Sequence, residues 1–381
     1  MAQAKLPDPI FIARPAALQR LAEELCREAI IAVDTESNSL YAYYEQVCLI
    51  QFSTPRHDYL VDPLALDDLS PLKPIFASPD IEKVFHAAEY DVICLKRDFQ
   101  FSFENLFDTM IAARILGHDQ LGLGSILKAE FGVQADKRHQ RANWGQRPLP
   151  PQLLAYAQLD THYLIRIRQR LQAELLEKSL WPLASEDFKR LQEVNGGGAE
   201  RANGEKNDEI WRINGSHDLD PSEAAVLHEL RLYREQVAQA INLPLFKVIG
   251  DKTLLAIAAQ CPRNADELGR IPGMSALQVK RHGKAVLAAI QRGLKSPPLY
   301  PPKYRRPDES YLARLEALRE WRKRTARRMG VNSDVVLPRD LLYEIAEQNP
   351  RHLLHLGEIL AQVPWRLENF GEEILYLLHK T

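Results

Sequence analysis

The sequence predicts a mixed α/β domain followed by two small all-α domains, and three observations carry that expectation. Short β-branched and aromatic runs crowd the first hundred residues, helical spacing of apolar residues dominates the remainder of the chain, and an offset of 88 residues superposes two stretches of the second half. A chain of 381 residues is also too long for one ordinary hydrophobic core.

The strands come first. Ile30–Val33, Val47–Phe52, Tyr59–Val61 and Lys83–Phe85 are short, apolar and bounded by Pro, Asp or Ser. Helical patterns cover Asp91–Phe99, Thr109–Leu116, Ser125–Phe131 and a long stretch from about Gln152 to Leu176. Strands followed and interrupted by helices belong to one sheet with helical cover.

Two breaks then divide the chain. The glycine-rich stretch from Asn195 to Lys206 cannot bury a core and reads as a linker. Lys295 to Pro307, with five prolines, favours extended polyproline geometry and reads as a spacer, its basic residues also suiting a phosphate backbone. Beyond the first break lies the repeat. The 88-residue shift places Leu227, Leu230, Arg231, Arg234 and Ala238 on Leu315, Leu318, Arg319, Arg322 and Ala326. It also places Leu254, Ile257 and Ala258 on Leu342, Ile345 and Ala346, Gln260-Cys-Pro-Arg263 on Gln348-Asn-Pro-Arg351, and Gly283 on Gly371. One ungapped offset over such a span implies two copies of one helical unit. The expected boundaries are 1–194 for the α/β domain, 195–208 for a flexible linker, 209–294 for the first helical copy, 295–307 for the Pro-rich linker and 308–381 for the second.

Composition excludes several classes. The scattered Cys26, Cys48, Cys94 and Cys261 show no CxxC spacing, the opening MAQAKLPDPI has no apolar leader, and no run approaches the ~18–20 apolar residues of a membrane span. A cytoplasmic protein without membrane attachment or an obligate protein partner is expected. The net charge of −2 hides an asymmetry: residues 1–200 hold 21 Lys and Arg against 28 Asp and Glu, whereas residues 201–381 hold 28 against 23. The basic second half is the better surface for a polyanion. The helix expected around Arg314–Arg328 concentrates Arg314, Arg319, Arg322, Lys323, Arg324, Arg327 and Arg328, which fits either phosphate attraction or a solvated face.

The chemistry lies in four acidic residues. Asp34 and Glu36 end the first strand two residues apart, so both carboxylates share one face. Asp91 follows the Lys83–Phe85 strand at the opening of a helix, where helix capping is the competing role. Tyr156 and Asp160 stand four apart on one helical face, and an Asp near the buried side of a helix needs a partner. Carboxylates gathered at one sheet edge repel one another unless cations neutralise them, and oxygen ligands without a Cys/His cluster favour Mg2+ or Mn2+.

These residues resemble the three exonuclease motifs of the DEDD superfamily, with Tyr156 marking its DEDDy branch. Phe107-Asp-Thr109, Ile111-Ala-Ala-Arg114 and Trp144-Gly-Gln-Arg-Pro-Leu149 match further. Trp211-Arg-Ile213, Leu230-Arg-Leu-Tyr-Arg-Glu235 and Leu254-Leu-Ala-Ile-Ala258 resemble HRDC domains. That order of parts is similar to the bacterial ribonuclease D family over nearly the whole chain.

The resemblance implies an RNase H-like α/β exonuclease domain followed by two all-α HRDC-type domains, and a 3′→5′ exoribonuclease that trims tRNA precursors and other small structured RNAs to release nucleoside 5′-monophosphates. Two divalent cations, Mg2+ or Mn2+, are implied, bridged by Asp34. Glu36 and Asp160 would hold the water-activating ion, Asp91 would act through the hydration shell of the second, and Tyr156 would orient the attacking water. Leu40 matches a position that wedges against the terminal base, with ordinary loop packing as the other reading. His86 is implied at the terminal nucleotide, or else as a core histidine. Lys137 and Arg147 are candidates for phosphate contact or solvated surface. A DNA 3′→5′ exonuclease and a non-catalytic nucleic-acid-binding module are the alternatives, because nothing in the motifs reads a 2′-hydroxyl.

Overall fold

The computed structural model describes residues 6–134, 136–195, 208–302 and 307–381. Most of the expected 195–208 linker, and residues 303–306 of the Pro-rich one, lie outside the described residues. The chain forms two compact units: residues 1–37, 47–196 and 306–381 make the first, and residues 38–46 and 197–305 the second. Contact therefore groups the second helical copy with the α/β domain, and groups the short Asn38–Gln46 segment with the first copy.

The first unit is built on a six-stranded sheet of order β1-β4-β3-β2-β5-β6. Its strands are β1 (Ile10–Ile12), β2 (Ile30–Ser37), β3 (Val47–Ser53), β4 (Asp58–Val61), β5 (Glu82–Phe85) and β6 (Leu106–Asp108). The helices among them are α1 (Pro15–Leu25), α2 (Lys73–Ala77), α3 (Glu89–Phe99), α4 (Thr109–Ile115), α5 (Leu123–Phe131), α6 (Pro151–His162), α7 (Leu164–Glu177) and α8 (Trp181–Glu193). β2 pairs antiparallel with β3 and parallel with β5. All four expected strands are present. β1 and β6 were not expected, because three residues are too few to show alternation.

Both faces of the sheet are covered. One core gathers Ile31 and Val33 of β2 with Ile50, Phe52, and Leu18, Leu21, Val92 and Leu95 from α1 and α3. The other gathers Ala32 with Phe107 and with Leu164, Ile167 and Leu171 of α7. The helix expected to run from Gln152 to Leu176 is broken at Tyr163 into α6 and α7. Tertiary contacts hold the break: His162 Nδ1 lies 2.8 Å from Asp58 Oδ2, and the Tyr163 ring packs on Phe131 at 4.4 Å. Helical periodicity carries no trace of either.

The 88-residue offset is reproduced by the helices. The second unit contains α9 (Pro221–Ile241), α10 (Leu245–Val248), α11 (Asp251–Gln260), α12 (Ala265–Leu268) and α13 (Ala276–Gly293). In the first unit, α14 (Glu309–Met329), α15 (Ser333–Val336), α16 (Arg339–Gln348), α17 (Leu353–Ile359) and α18 (Pro364–Lys380) each begin one offset later. Side-chain bonding repeats with the backbone. Arg234 donates to the Ile249 carbonyl at 3.1 Å, and Arg322 to the Leu337 carbonyl at 3.0 Å. At Gly283 an added Cβ would meet Val279 and Leu268, and at Gly371 it would meet Leu367 and Leu356, the same two positions of the repeat.

Part of the basic helix is thereby reassigned from phosphate attraction to folding. Arg314 is buried and donates to the Ala346 carbonyl, Arg319 bonds the Tyr343 hydroxyl, and Arg322 holds Leu337. Arg324 and Arg327 remain exposed. No helix among the described residues is long and apolar enough to cross a membrane.

Candidate active site

The two-residue period of β2 sets the site. Ile31 and Val33 point into one core and Ala32 into the other, so Asp34 and Glu36 continue the Ala32 face. α6 lies over that face: Leu49, the cross-strand partner of Glu36, packs with Tyr156 and Ala157. Ser53 Oγ, two pairs beyond Asp34 and Gln51 and so on the same face, donates to Thr161 Oγ1 at 2.7 Å. Anchored on both sides, α6 delivers Asp160 to the strand end. Carboxylate oxygens of Asp34, Glu36 and Asp160 all lie within 4.8 Å of one another.

Asp91 arrives from the opposite side of the sheet. The chain leaves β5 through Ala87, whose φ of 63° is left-handed, and turns directly into α3. Asp91 sits in the first turn of α3, where the helix dipole favours negative charge. The Thr35 hydroxyl donates to Asp91 Oδ1. Successive residues of Asp34-Thr35-Glu36 thus serve both faces, the two acids toward α6 and the threonine toward α3. Sequence reasoning missed Thr35. Its only signal was its place between two acids on a strand.

Crowding and burial act together on these groups. Burial pushes the Asp34 carboxyl well above the carboxylate range, and Asp91, Asp160 and Glu36 push it further. Glu36 is raised by burial and by Asp160 and Asp91. Burial brings Asp91 up to about 7 against the pull of Thr35. Asp160 also rises to about 7 through burial, against the Tyr156 hydroxyl one turn earlier. Tyr156 itself is raised by burial and by these acids, so its hydroxyl keeps its proton at neutral pH.

These raised carboxyls make stability depend on pH. In the folded state they bind protons that the unfolded chain has released, between its ordinary range near ~4 and about 7. Metal-free stability should therefore fall as pH rises through that window. A divalent cation, which replaces those protons, should raise the melting temperature more at about pH 8 than at about pH 5.5. Thermal unfolding with EDTA and with Mn2+ at the two pH values reads this directly, and equal stabilisation at both would contradict it.

Residues 9–176 match the 3′-5′ exonuclease family, and residues 223–290 and 311–378 each match the HRDC domain. Ribonuclease D of Gluconacetobacter diazotrophicus is 31% identical over 291 residues, covering 76% of this chain and 72% of that protein. The chain belongs to the ribonuclease D family. The crystal structure of Escherichia coli RNase D, described as an exoribonuclease involved in structured RNA processing, superposes with a TM-score of 0.69 at 26% identity, covering 98% of this chain and 99% of that one. Protein RRP6-like 3 of Arabidopsis thaliana is 42% identical over 179 residues, which are 47% of this chain but only 20% of that relative.

Exonucleases of the ribonuclease D kind use divalent metal ions, and the donor set here fits them. Three hard oxygen donors converge, and the charges acting on Asp34 are those of the other three acids. The remaining candidate residues fare differently in this ribonuclease D fold. Arg147 does not offer itself to phosphate. Its guanidinium is engaged by Asp62 at 2.7 Å through both Nε and Nη2, and by the carbonyls of Cys48, Trp144 and Gln146, which uses all five N–H donors. His86 is half-buried with Nδ1 at 2.9 Å from Thr109 Oγ1, and burial lowers its pKa, so it stands in the fold as a neutral, bonded histidine. Leu40 is 40% exposed on the Asn38–Gln46 segment of the second unit. The Lys137 side chain lies outside the described residues. Sequence reasoning also missed the surroundings of Tyr156, where Gln140 bonds its hydroxyl and the His139 ring approaches edge-on at 5.7 Å.

Proposed function

We propose that this 3′→5′ exoribonuclease trims the 3′ ends of structured RNAs such as tRNA precursors, releasing nucleoside 5′-monophosphates, with Asp34, Glu36, Asp91 and Asp160 holding two divalent cations, Mg2+ or Mn2+. The observation that carries the reading is the convergence of Asp34, Glu36 and Asp160 from β2 and α6 on a single ion-sized space. When bound, such ions would supply a nucleophile at neutral pH and neutralise the departing 3′-oxyanion. Asp34, which stands among the other three acids and feels the charge of each, would be the ligand shared between the ions. Thr35 holds Asp91 in orientation. The Tyr156 hydroxyl, which keeps its proton, serves as a donor that positions the water and is not the base that deprotonates it.

The domain boundaries proposed from the sequence divide the labour: 1–194 for hydrolysis, and the HRDC copies at 209–294 and 308–381, on either side of the 195–208 and 295–307 connections, for holding RNA. Exposed Arg324 and Arg327 supply salt-dependent, sequence-blind attraction to phosphate. The relatives' names, ribonuclease D and an exoribonuclease involved in structured RNA processing, favour RNA over the DNA alternative.

The test is digestion of a tRNA bearing extra 3′ nucleotides, alongside a DNA strand of matched sequence, with Mg2+, with Mn2+ and with chelator. The expected result is stepwise release of mononucleotides from the RNA 3′ end in the presence of metal alone. Internal cleavage, or release that survives chelation, would overturn the reading.

A further inference from the structure

Gln51 lies in the middle of β3, is 0% exposed, and has no hydrogen-bond partner among the described residues at either Nε2 or Oε1. Leaving both ends of a buried amide unpaired is destabilising, and such a group is retained for a reason outside the apolar core. Its position supplies one. Gln51 is the cross-strand partner of Asp34, and directly opposed residues of an antiparallel pair share a face with Cβ atoms roughly 4.5–5.5 Å apart. Its neighbours along that face, Leu49 and Ser53, engage α6 at Tyr156 and Ala157 and at Thr161. The amide therefore lies on the α6 side of the sheet, beside the gathered acids.

We propose that Gln51 is a positioning residue of the acidic site, its amide N–H orienting the Asp34 carboxylate when a divalent cation is held there. The inference rests on the reading of Asp34 as a metal ligand. Side chains that orient metal ligands in this way change metal affinity or activity about 10–100-fold when removed. Gln51 differs from an ordinary buried hydrogen-bonding residue in one respect. Because its amide has no partner among the described residues, replacing it by an apolar side chain of similar length removes an unsatisfied group and should not weaken the fold.

Gln51→Met separates the two roles by opposite signs. The metal-free variant should melt no lower than the parent. Its affinity for Mn2+, measured by titration calorimetry without RNA, should fall about 10–100-fold. A lowered metal-free melting temperature would show that the amide is already bonded in the fold, and unchanged Mn2+ affinity would show that it does not reach the ligand; either overturns the proposal. Asp34→Asn is titrated in parallel. Lost Mn2+ binding in Asp34→Asn with unchanged binding in Gln51→Met removes Gln51 alone, whereas unchanged binding in Asp34→Asn removes the metal site on which the inference stands.

Discussion

Asp34→Asn should reduce mononucleotide release by roughly 10³-fold or more while leaving the protein folded. Asparagine has nearly the volume of aspartate and fits the same strand position, so packing against β3 is undisturbed. What disappears is the charge that the other three acids surround. Losing several kcal/mol of electrostatic stabilisation in the transition state accounts for that factor, at about 1.4 kcal/mol per decade. Metal-free Asp34→Asn should also melt at a higher temperature than the parent, because one of four mutually repelling groups is gone. The pairing of lost activity with gained stability distinguishes a ligand from a scaffold residue. Retention of more than about a tenth of the parent rate would remove Asp34 from the chemistry.

How much of this was legible in the sequence depends on how local each cause is. β2 and the i, i+2 placement of Asp34 and Glu36 come from strand periodicity, and Tyr156 and Asp160 from helical spacing. The repeat was legible in detail, down to the helix ends. Cys261 and Asn349, matched by the offset, both take the left-handed conformation that closes α11 and α16. Long-range contacts left no such mark. Nothing beside Arg147 announces Asp62, which lies 85 residues away, so the sequence leaves Arg147 between phosphate contact and solvated surface and gives no sign of the ion pair. The break at Tyr163 depends on Asp58 and Phe131, both remote in sequence. Thr35 and Gln51 escaped notice because their importance lies in what stands across the sheet from them.

Arg366 shows how the second helical copy came to pack with the α/β domain, and it carries the largest expected effect on stability. Its counterpart one offset earlier is Gln278, and the two share a bond: Gln278 Nε2 donates to the Val248 carbonyl at 3.3 Å, and Arg366 Nε to the Val336 carbonyl at 3.1 Å. The guanidinium then extends past that shared role. At 0% exposure it meets Glu186 at 2.8 Å and Asp187 at 2.9 Å, both on α8, and also donates to the Val335 carbonyl at 2.9 Å. Burial raises both acids, against the opposing pull of Arg366. Arg366→Ala leaves two carboxylates and two carbonyls without their cation, a loss of about 3–5 kcal/mol for a buried pair broken on one side. Arg366→Gln restores the residue of the first copy. It should keep the Val336 bond, worth about 1 kcal/mol, and lose the docking to α8. Both variants should therefore lower the first unfolding midpoint in urea, Ala by more than Gln, and both should expose α18 to limited proteolysis before the sheet is attacked. If Gln matched the parent in both measurements, the ion pair with Glu186 and Asp187 would not be what joins the second copy to α8, and the Arg114–Asp334 and Arg190–Asp340 pairs together with the apolar contacts of Met329, Val331, Val335 and Trp365 would hold it.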